Sequence, residues 1–159
     1  MSLSIRAATP ADAGLIKSLV AELAEYEKLS HEALATEADF ARALFGPEPK
    51  AFAEIAELDS RPIGFSLWFY TFSTFVGRHG VYLEDLYVRP EARGRGAGRA
   101  LMASLARRCV EEGLGRMEWA VLDWNAPAIA VYDRVGSAAL EDWTVRRLTG
   151  EALRALAAG

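Results

Sequence analysis

The 159-residue sequence contains one cysteine, two histidines and no long apolar run. Because a single thiol has no partner within the chain, Cys109 excludes an internal disulfide, and it cannot anchor a zinc cluster built from cysteines. No segment reaches the roughly 20 apolar residues that a membrane helix needs. Residues 1–4 also lack the basic-then-apolar pattern of a secretory signal. We therefore expect a cytoplasmic protein that contacts no membrane and holds no metal.

The composition predicts an ordinary globular protein with a mildly acidic surface. The apolar fraction of 52% and the charged fraction of 25% exclude an intrinsically disordered chain. The formal net charge of -4 argues against a general nucleic-acid binder and favours cationic ligands. Since the sequence shows no repeats, linkers or low-complexity segments, we expect one domain that spans residues 1–159.

Hydrophobic periodicity predicts an α/β fold in which helices alternate with strands. A helix bridges the strands at 81–88 and 117–122 as a crossover, so these two strands should be parallel and the sheet mixed. The strand at 63–75 should run antiparallel to 81–88. The strands are expected at 3–7, 50–58, 63–75, 81–88, 117–122 and 140–148, and the helices at 10–26, 37–45, 96–112, 126–135 and from 149 onward.

A glycine-rich loop, R-G-R-G-A-G-R at Arg93–Arg99, separates a strand from a helix. Such a unit directs backbone N–H groups and a helix N-terminus at one point, which suits a phosphate, and we expect the pyrophosphate of a cofactor there. A tight turn with solvated arginines is the alternative. A nucleic-acid site at Arg89, Arg93, Arg95 and Arg99 is a weaker interpretation, because no aromatic residues are interleaved with these arginines.

Five motifs together resemble the GNAT superfamily of acetyl-coenzyme A-dependent N-acetyltransferases. The loop matches the superfamily signature Q/R-x-x-G-x-G/A, and the other four motifs resemble the diamine (spermidine/spermine-type) N-acetyltransferase branch. The resemblance implies a single-domain GNAT fold, a mixed sheet with splayed central parallel strands that is flanked by helices. The four motifs are L-A-E-Y-E (23–27), Y-L-E-D-L-Y-V (82–88), V-L-D-W-N-A-P-A-I (121–129) and V-Y-D-R-V-G (131–136).

The resemblance also implies where acetyl-coenzyme A (acetyl-CoA) would bind. Backbone groups on the strand before the loop would bond the pantetheine arm in the manner of an added strand. The loop amides would hold the pyrophosphate, and Asn125 would hydrogen-bond the arm. The implied cofactor-binding residues are Leu86, Tyr87, Val88, Arg93, Gly94, Arg95, Gly96, Ala97, Gly98, Arg99 and Asn125.

The catalytic groups implied by the resemblance are Tyr132 and Glu84. Tyr132 would protonate the departing thiolate, unless this aromatic residue is simply part of the core. An alkylamine with a pKa near 10.4 must lose a proton before it attacks, and Glu84 is the candidate base, acting through water. Strand alternation places Glu84 and Asp85 on opposite faces. These acids could instead be solvated or paired with arginines. The implied substrate-binding residues are Tyr26, Glu27, Glu84, Asp85 and Glu141.

The predicted function is direct transfer of acetyl from acetyl-CoA to a primary amine of a small cationic substrate, a diamine, a polyamine or a lysine-like amine. Relatives of this branch are usually homodimers, and we expect the same here. The segments 30–35 and 137–142 match the family least well, so an aminoglycoside or a protein N-terminus stays open as the acceptor. A non-catalytic acetyl-CoA sensor or scaffold is the alternative from a different functional class.

Overall fold

The computed structural model describes all residues from 1 to 159. Its Cα positions group into two compact units, Met1–Leu122 and Asp123–Gly159. The first unit contains a five-stranded sheet in the order β1-β2-β3-β4-β5, with three helices. The strands are β1 (Leu3–Ala7), β2 (Phe52–Leu58), β3 (Arg61–Ser73), β4 (Arg78–Val88) and β5 (Met117–Trp119). The helices of this unit are α1 (Ala13–Tyr26), α2 (Glu37–Phe45) and α3 (Ala97–Glu111).

The sheet is mixed, as the sequence predicts. Strands β1 to β4 pair antiparallel in chain order, and β5 pairs parallel with β4. The crossover helix α3 explains the parallel pair, since two parallel neighbours cannot be joined by a tight turn. The α/β fold with helices flanking a mixed sheet is therefore confirmed.

The sheet buries apolar side chains on both faces. Helices α1 and α2 pack Ile16, Leu19 and Leu44 against Ile55 and Phe65 in one cluster. Helix α3 packs Leu101 and Ala97 against Ala56 and Ile63 in the other. Side chains alternate along a strand, so β4 contributes Tyr87 to the first cluster and Leu86 and Val88 to the second.

Capping residues fix where the first two helices begin. A single-turn 3₁₀ helix at Pro10–Asp12 precedes α1, and Asp12 accepts the backbone N–H of Thr9 at 2.7 Å. The hydroxyl of Thr36 accepts the N–H of Asp39 while the Asp39 carboxylate accepts the N–H of Thr36, a reciprocal capping box. These local bonds explain why both helix starts were predictable from the sequence.

The turn between β3 and β4 lies earlier in the chain than predicted. Ser73 pairs with Arg78, so the predicted turn over 77–80 falls largely within β4. Gly80 is needed for close packing: a Cβ there would lie 2.7 Å from the carbonyl oxygen of Arg116. Strand β5 is also shorter than its predicted range of 117–122 and ends at Trp119.

The second unit, Asp123–Gly159, contains α4 (Ala126–Arg134) and α5 (Gly150–Ala157). Gly136 lies just after the end of α4 and has a left-handed φ of 84°, so it terminates the helix as the sequence predicts. The predicted strand over 140–148 is wrong, because that segment pairs with no strand. The N–H of Trp143 bonds the carbonyl of Leu140 in a turn, and the Val145 side chain is 88% exposed. Strand-forming side chains specify a strand only where a partner strand exists.

Candidate active site

One edge of β4 is open over the half that carries the acidic motif. Strand β4 pairs with β3 as far as Val88, but with β5 only from Val81↔Met117 to Leu83↔Trp119. No strand pairs with residues 84–88 on the β5 side. The predicted separation of the two parallel strands is therefore present. An open edge of this kind offers backbone N–H and C=O groups to an extended amide-bearing ligand.

A β-bulge at Glu84 interrupts the regular alternation of β4. Leu67 of β3 lies opposite Asp85, whereas the next residue, Trp68, lies opposite Leu83. Glu84 is therefore an extra residue with no partner on β3. Alternation predicted Glu84 and Asp85 on opposite faces, but that rule does not hold across a bulge. The exposed Glu84 and the half-buried Asp85 are thus adjacent at the point where the pairing with β5 ends.

Glu27, Glu84 and Asp85 form an acidic cluster in which the charges are not compensated. Burial, together with the nearby Glu84 and Glu27 carboxylates, raises the pKa of Asp85 to about 7. Burial also raises the pKa of Glu27, which caps the C-terminal end of α1. No basic side chain forms a salt bridge with any of the three acids, so the predicted alternative of an arginine partner for Glu84 is not realised.

The acidic cluster has the charge to attract a cation, and its geometry does not suit a metal ion. No group of three histidine, cysteine or acidic side chains in the chain is placed to hold a metal. An organic ammonium is a better fit, because it needs hydrogen-bond acceptors at its own N–H directions and no closed coordination shell. The charge of the cluster therefore favours a cationic ligand.

The loop after β4 presents a row of backbone donors. Gly94 and Gly96 adopt left-handed φ values of 76° and 83°, which glycine reaches without strain. Backbone N–H groups from residue 94 to residue 99 donate to no acceptor in the protein, whereas the N–H of Arg93 bonds the Pro90 carbonyl. The amides of residues 97–99 begin α3, where no preceding carbonyl is available. This combination fits an anion such as a diphosphate.

Replacing Gly96 with valine should weaken acetyl-CoA binding by about 30-fold or more. Its positive φ is costly for a β-branched residue, and the space around it is open, so the added side chain would project where a diphosphate has to approach. Calorimetry with coenzyme A measures the effect. Gly113→Val is the matched control, since Gly113 has a φ of 67°, open space around it and a position at the far end of α3. Equal losses of affinity in both variants would contradict a specific role for Gly96.

The arginines around the loop make different contacts. Arg89 forms a bidentate ion pair with Glu22 of α1. The shortest bond, from Nη2 to Oε1, is 2.9 Å long, and the pair connects α1 to the residue that follows β4. The Arg93 side chain donates from Nε to the carbonyl oxygen of Val88 at 2.9 Å. Arg95 contacts the sulfur of Met1, and Arg99 is exposed. Arg95 and Arg99 therefore remain the two candidates for a charge contact to phosphate.

The other predicted site residues lie in the second unit. Asn125 is 7% exposed and accepts the N–H of Ala128, so its side chain caps α4. Tyr132 is half-buried on α4, and its carbonyl accepts the hydroxyl of Ser137 at 2.8 Å. Glu141 is exposed in the irregular segment that the sequence wrongly assigned to a strand. The cofactor and acid roles of these residues remain predictions.

The structure brings together the predicted acids of the first unit and adds two features that the sequence did not reveal. Glu27 and Asp85 are 58 positions apart in the chain, yet the charge of Glu27 contributes to the raised pKa of Asp85. The bulge at Glu84 and the contacts of the Arg93 side chain had no sequence signal, because both depend on pairing between distant segments. A Glu-Asp pair in the second half of a strand that leads to a glycine loop was the available hint.

Comparison with known proteins gives a consistent result. The profile of the acetyltransferase (GNAT) family matches residues 16–136. A thialysine N-epsilon-acetyltransferase of Bos taurus is 38% identical over 164 residues, which cover 96% of each chain. An L-ornithine N5-acetyltransferase of Arabidopsis thaliana is 29% identical over 197 residues, covering 96% of this chain and 86% of the relative. A solved integron cassette protein from V. cholerae superposes with a TM-score of 0.83 at 25% identity, over 100% of this chain and 99% of that one.

Proposed function

Because the chain belongs to the acetyltransferase (GNAT) family, we propose that it acetylates a primary amine of a small dibasic substrate, a lysine-like amino acid or a diamine. The transfer uses acetyl-CoA and occurs by direct attack of the amine in a ternary complex. An acyl-enzyme has no candidate nucleophile, since Cys109 is buried on α3 and burial raises its thiol pKa. The relatives that act on thialysine and on ornithine support the substrate class.

The acidic cluster is the observation on which the substrate class rests. Glu27, Glu84 and Asp85 lie beside the open edge of β4, and no arginine forms a salt bridge with any of them. Uncompensated carboxylates bind an ammonium by charge-assisted hydrogen bonds and raise its local concentration. A dibasic amine has one nitrogen to react and a second to hold, so this cluster favours it over a monoamine.

The residues of the first unit fit acetyl-CoA. The unbonded amides of residues 94–99 and the left-handed glycines would hold the diphosphate. The open edge of β4 at Leu86, Tyr87 and Val88 would accept the amide-bearing arm, with the Val88 carbonyl shared with Arg93. When bound, acetyl-CoA supplies an acetyl group activated as a thioester.

Two proton movements are assigned to side chains of the chain. The motif implies Glu84 as the base, but we propose that the adjacent Asp85 takes this role, because its pKa of about 7 suits proton exchange near neutral pH. Asp85 accepts the proton of the substrate ammonium, either directly or through water. The phenol of Tyr132 donates a proton to the departing thiolate, as the motif implies. The amine nitrogen forms the new bond to the acetyl carbon while the carbon–sulfur bond breaks.

We also propose a single-domain, cytoplasmic homodimer. The family profile runs from residue 16 to residue 136 and so crosses the boundary between the two compact units. None of the helices combines the length and the apolar character that a membrane span requires. Several large apolar side chains of the second unit are exposed, including Trp143 at 77% and Val145 at 88%, and a second copy would cover them. Sedimentation of the purified protein tests the dimer.

A panel of amines tests the proposed function. We expect kcat/KM for thialysine, ornithine or a short diamine to exceed that for butylamine by about 30-fold, because butylamine lacks the second cationic group. Release of free thiol and mass spectrometry of the product measure turnover. Equal activity toward butylamine and the dibasic amines would contradict the proposal.

Glu27→Gln should raise KM for the dibasic amine by about tenfold. Glu25→Gln is the matched control, because Glu25 is an exposed residue at the end of the preceding helix, α1.

A further inference from the structure

The side chain of Arg93 makes three contacts, and none of them is to the loop amides. Its Nε donates to the Val88 carbonyl at 2.9 Å. Its guanidinium carbon lies 4.9 Å from the centre of the Tyr26 ring and 5.7 Å from the centre of the Tyr87 ring. No carboxylate forms a salt bridge with it. One guanidinium therefore contacts the last residue of α1 and the last two residues of β4.

This position differs from that expected of a phosphate-binding arginine. The sequence grouped Arg93 with Arg95 and Arg99 as a residue of the cofactor loop. Both arginines are exposed, but Arg99 makes no side-chain bond in the protein, whereas the Arg93 guanidinium contacts two aromatic rings and a carbonyl. A planar guanidinium can stack on a ring and donate in its own plane at the same time, which an ammonium cannot do.

The contact with Tyr26 links Arg93 to the acidic cluster. Tyr26 ends α1, and Glu27 is the next residue. The charge of Glu27 contributes to the raised pKa of Asp85, and Asp85 lies on β4 two residues before Tyr87. Arg93 thus joins the two elements that carry the acids, while its positive charge faces the rings and forms no ion pair with Glu27 or Asp85.

We propose that Arg93 is a positioning residue of the amine site: its guanidinium clamps the end of α1 to β4 and so sets the separation of Glu27 and Asp85. The proposal rests on the proposed function, since it assigns the acidic cluster to the acceptor amine. It gives the first position of the loop motif a role in amine recognition, while the amides of the same loop hold the cofactor.

Bisubstrate kinetics of three variants test the clamp. Arg93→Gln should raise KM for the dibasic amine about tenfold and leave KM for acetyl-CoA within about twofold. Arg93→Lys keeps the charge but cannot stack and donate together, so it should resemble Arg93→Gln. Arg99→Gln removes the same charge from the same loop. It should raise KM for acetyl-CoA and leave KM for the dibasic amine unchanged. A rise in KM for acetyl-CoA alone in Arg93→Gln, or full recovery in Arg93→Lys, would overturn the proposal.

A measurement without substrate separates this inference from the proposed function. In the NMR spectrum of the intact protein, the Arg93 Nε–H signal should be protected from exchange and shifted upfield by the rings, and Tyr26→Leu should move it. If wild-type protein acetylates no amine but this signal behaves as described, the clamp stands and the proposed function fails. If amines are acetylated and the signal is insensitive to Tyr26→Leu, the clamp is wrong.

Discussion

Replacing Tyr132 with phenylalanine should lower kcat by about 100-fold or more and leave coenzyme A binding within about twofold. Proton transfer by a positioned side chain contributes roughly 10²–10⁴-fold to a rate, and phenylalanine removes the hydroxyl while it keeps the ring. The half-buried position of Tyr132 on α4 makes the substitution conservative for packing. Steady-state kinetics at saturating amine and acetyl-CoA measure kcat, and calorimetry measures the affinity for coenzyme A.

Tyr82→Phe provides the matched control for this substitution. Tyr82 is a half-buried tyrosine of β4, and its ring stacks on Phe69 with the centroids 5.2 Å apart. The control variant should keep kcat within about twofold. If Tyr132→Phe also keeps full rate, Tyr132 is a packing residue and the thiolate takes its proton from another group.

Replacing Asp85 with asparagine should remove activity and stabilise the fold at the same time. As the proton acceptor, Asp85 should contribute about 10²–10³-fold to kcat/KM. Its buried, uncompensated charge has the opposite effect on stability, because the folded chain disfavours the ionised form. We expect the free energy of unfolding at pH 8 to rise by about 1–3 kcal/mol after allowance for solvent screening.

The pH dependence of both effects has a definite sign. The pKa of Asp85 is raised from 3.8 to about 7, so the folded state binds this proton more tightly than the unfolded state does. Wild-type stability should therefore fall relative to Asp85→Asn as the pH rises from about 4 through 7, and the difference should be constant below about pH 4. Wild-type kcat/KM should increase with pH through a limb near 7, because the ionised carboxylate is the base.

Thermal unfolding across this pH range checks the stability effect. Glu48→Gln is the control, because it removes an exposed carboxylate. A gain of about 1 kcal/mol corresponds to a rise in Tm of about 2–4 °C for a chain of this size. If Asp85→Asn instead lowers Tm at pH 8, the Asp85 carboxylate has a partner that stabilises it. If the limb near pH 7 persists in this variant, another group is the base.

Features specified by local sequence were predictable. Thr36 with Asp39 marked the start of α2, and the glycines around α3 marked its loop and its end. The parallel orientation of β5 against β4 followed from the crossover helix. Features that depend on pairing between distant segments were not predictable, and the bulge at Glu84 is the main example, because it arises from the register of β4 against β3. The segment 140–148 shows the converse error, since strand-forming residues without a partner form no strand.

The same distinction applies to the candidate site. The motif placed Glu84 and Asp85 near the loop, but the pKa of Asp85 is raised chiefly by its burial, with smaller effects from Glu84 and from Glu27, 58 positions away. Likewise, the motif assigned Arg93 to the cofactor through its position alone. Only the packing of α1 against β4 shows that its side chain contacts Tyr26 and Tyr87.

A crystal structure of the protein with coenzyme A and a dibasic amine is the most direct test of the central claim, that one unit holds a diphosphate on the loop and an amine on the acidic cluster. Diphosphate oxygens should lie within about 3.2 Å of amides in residues 94–99, and an amine nitrogen should lie within hydrogen-bond distance of Glu27 or Asp85. A diphosphate bound away from these amides, or an amine bound away from both acids, would contradict it.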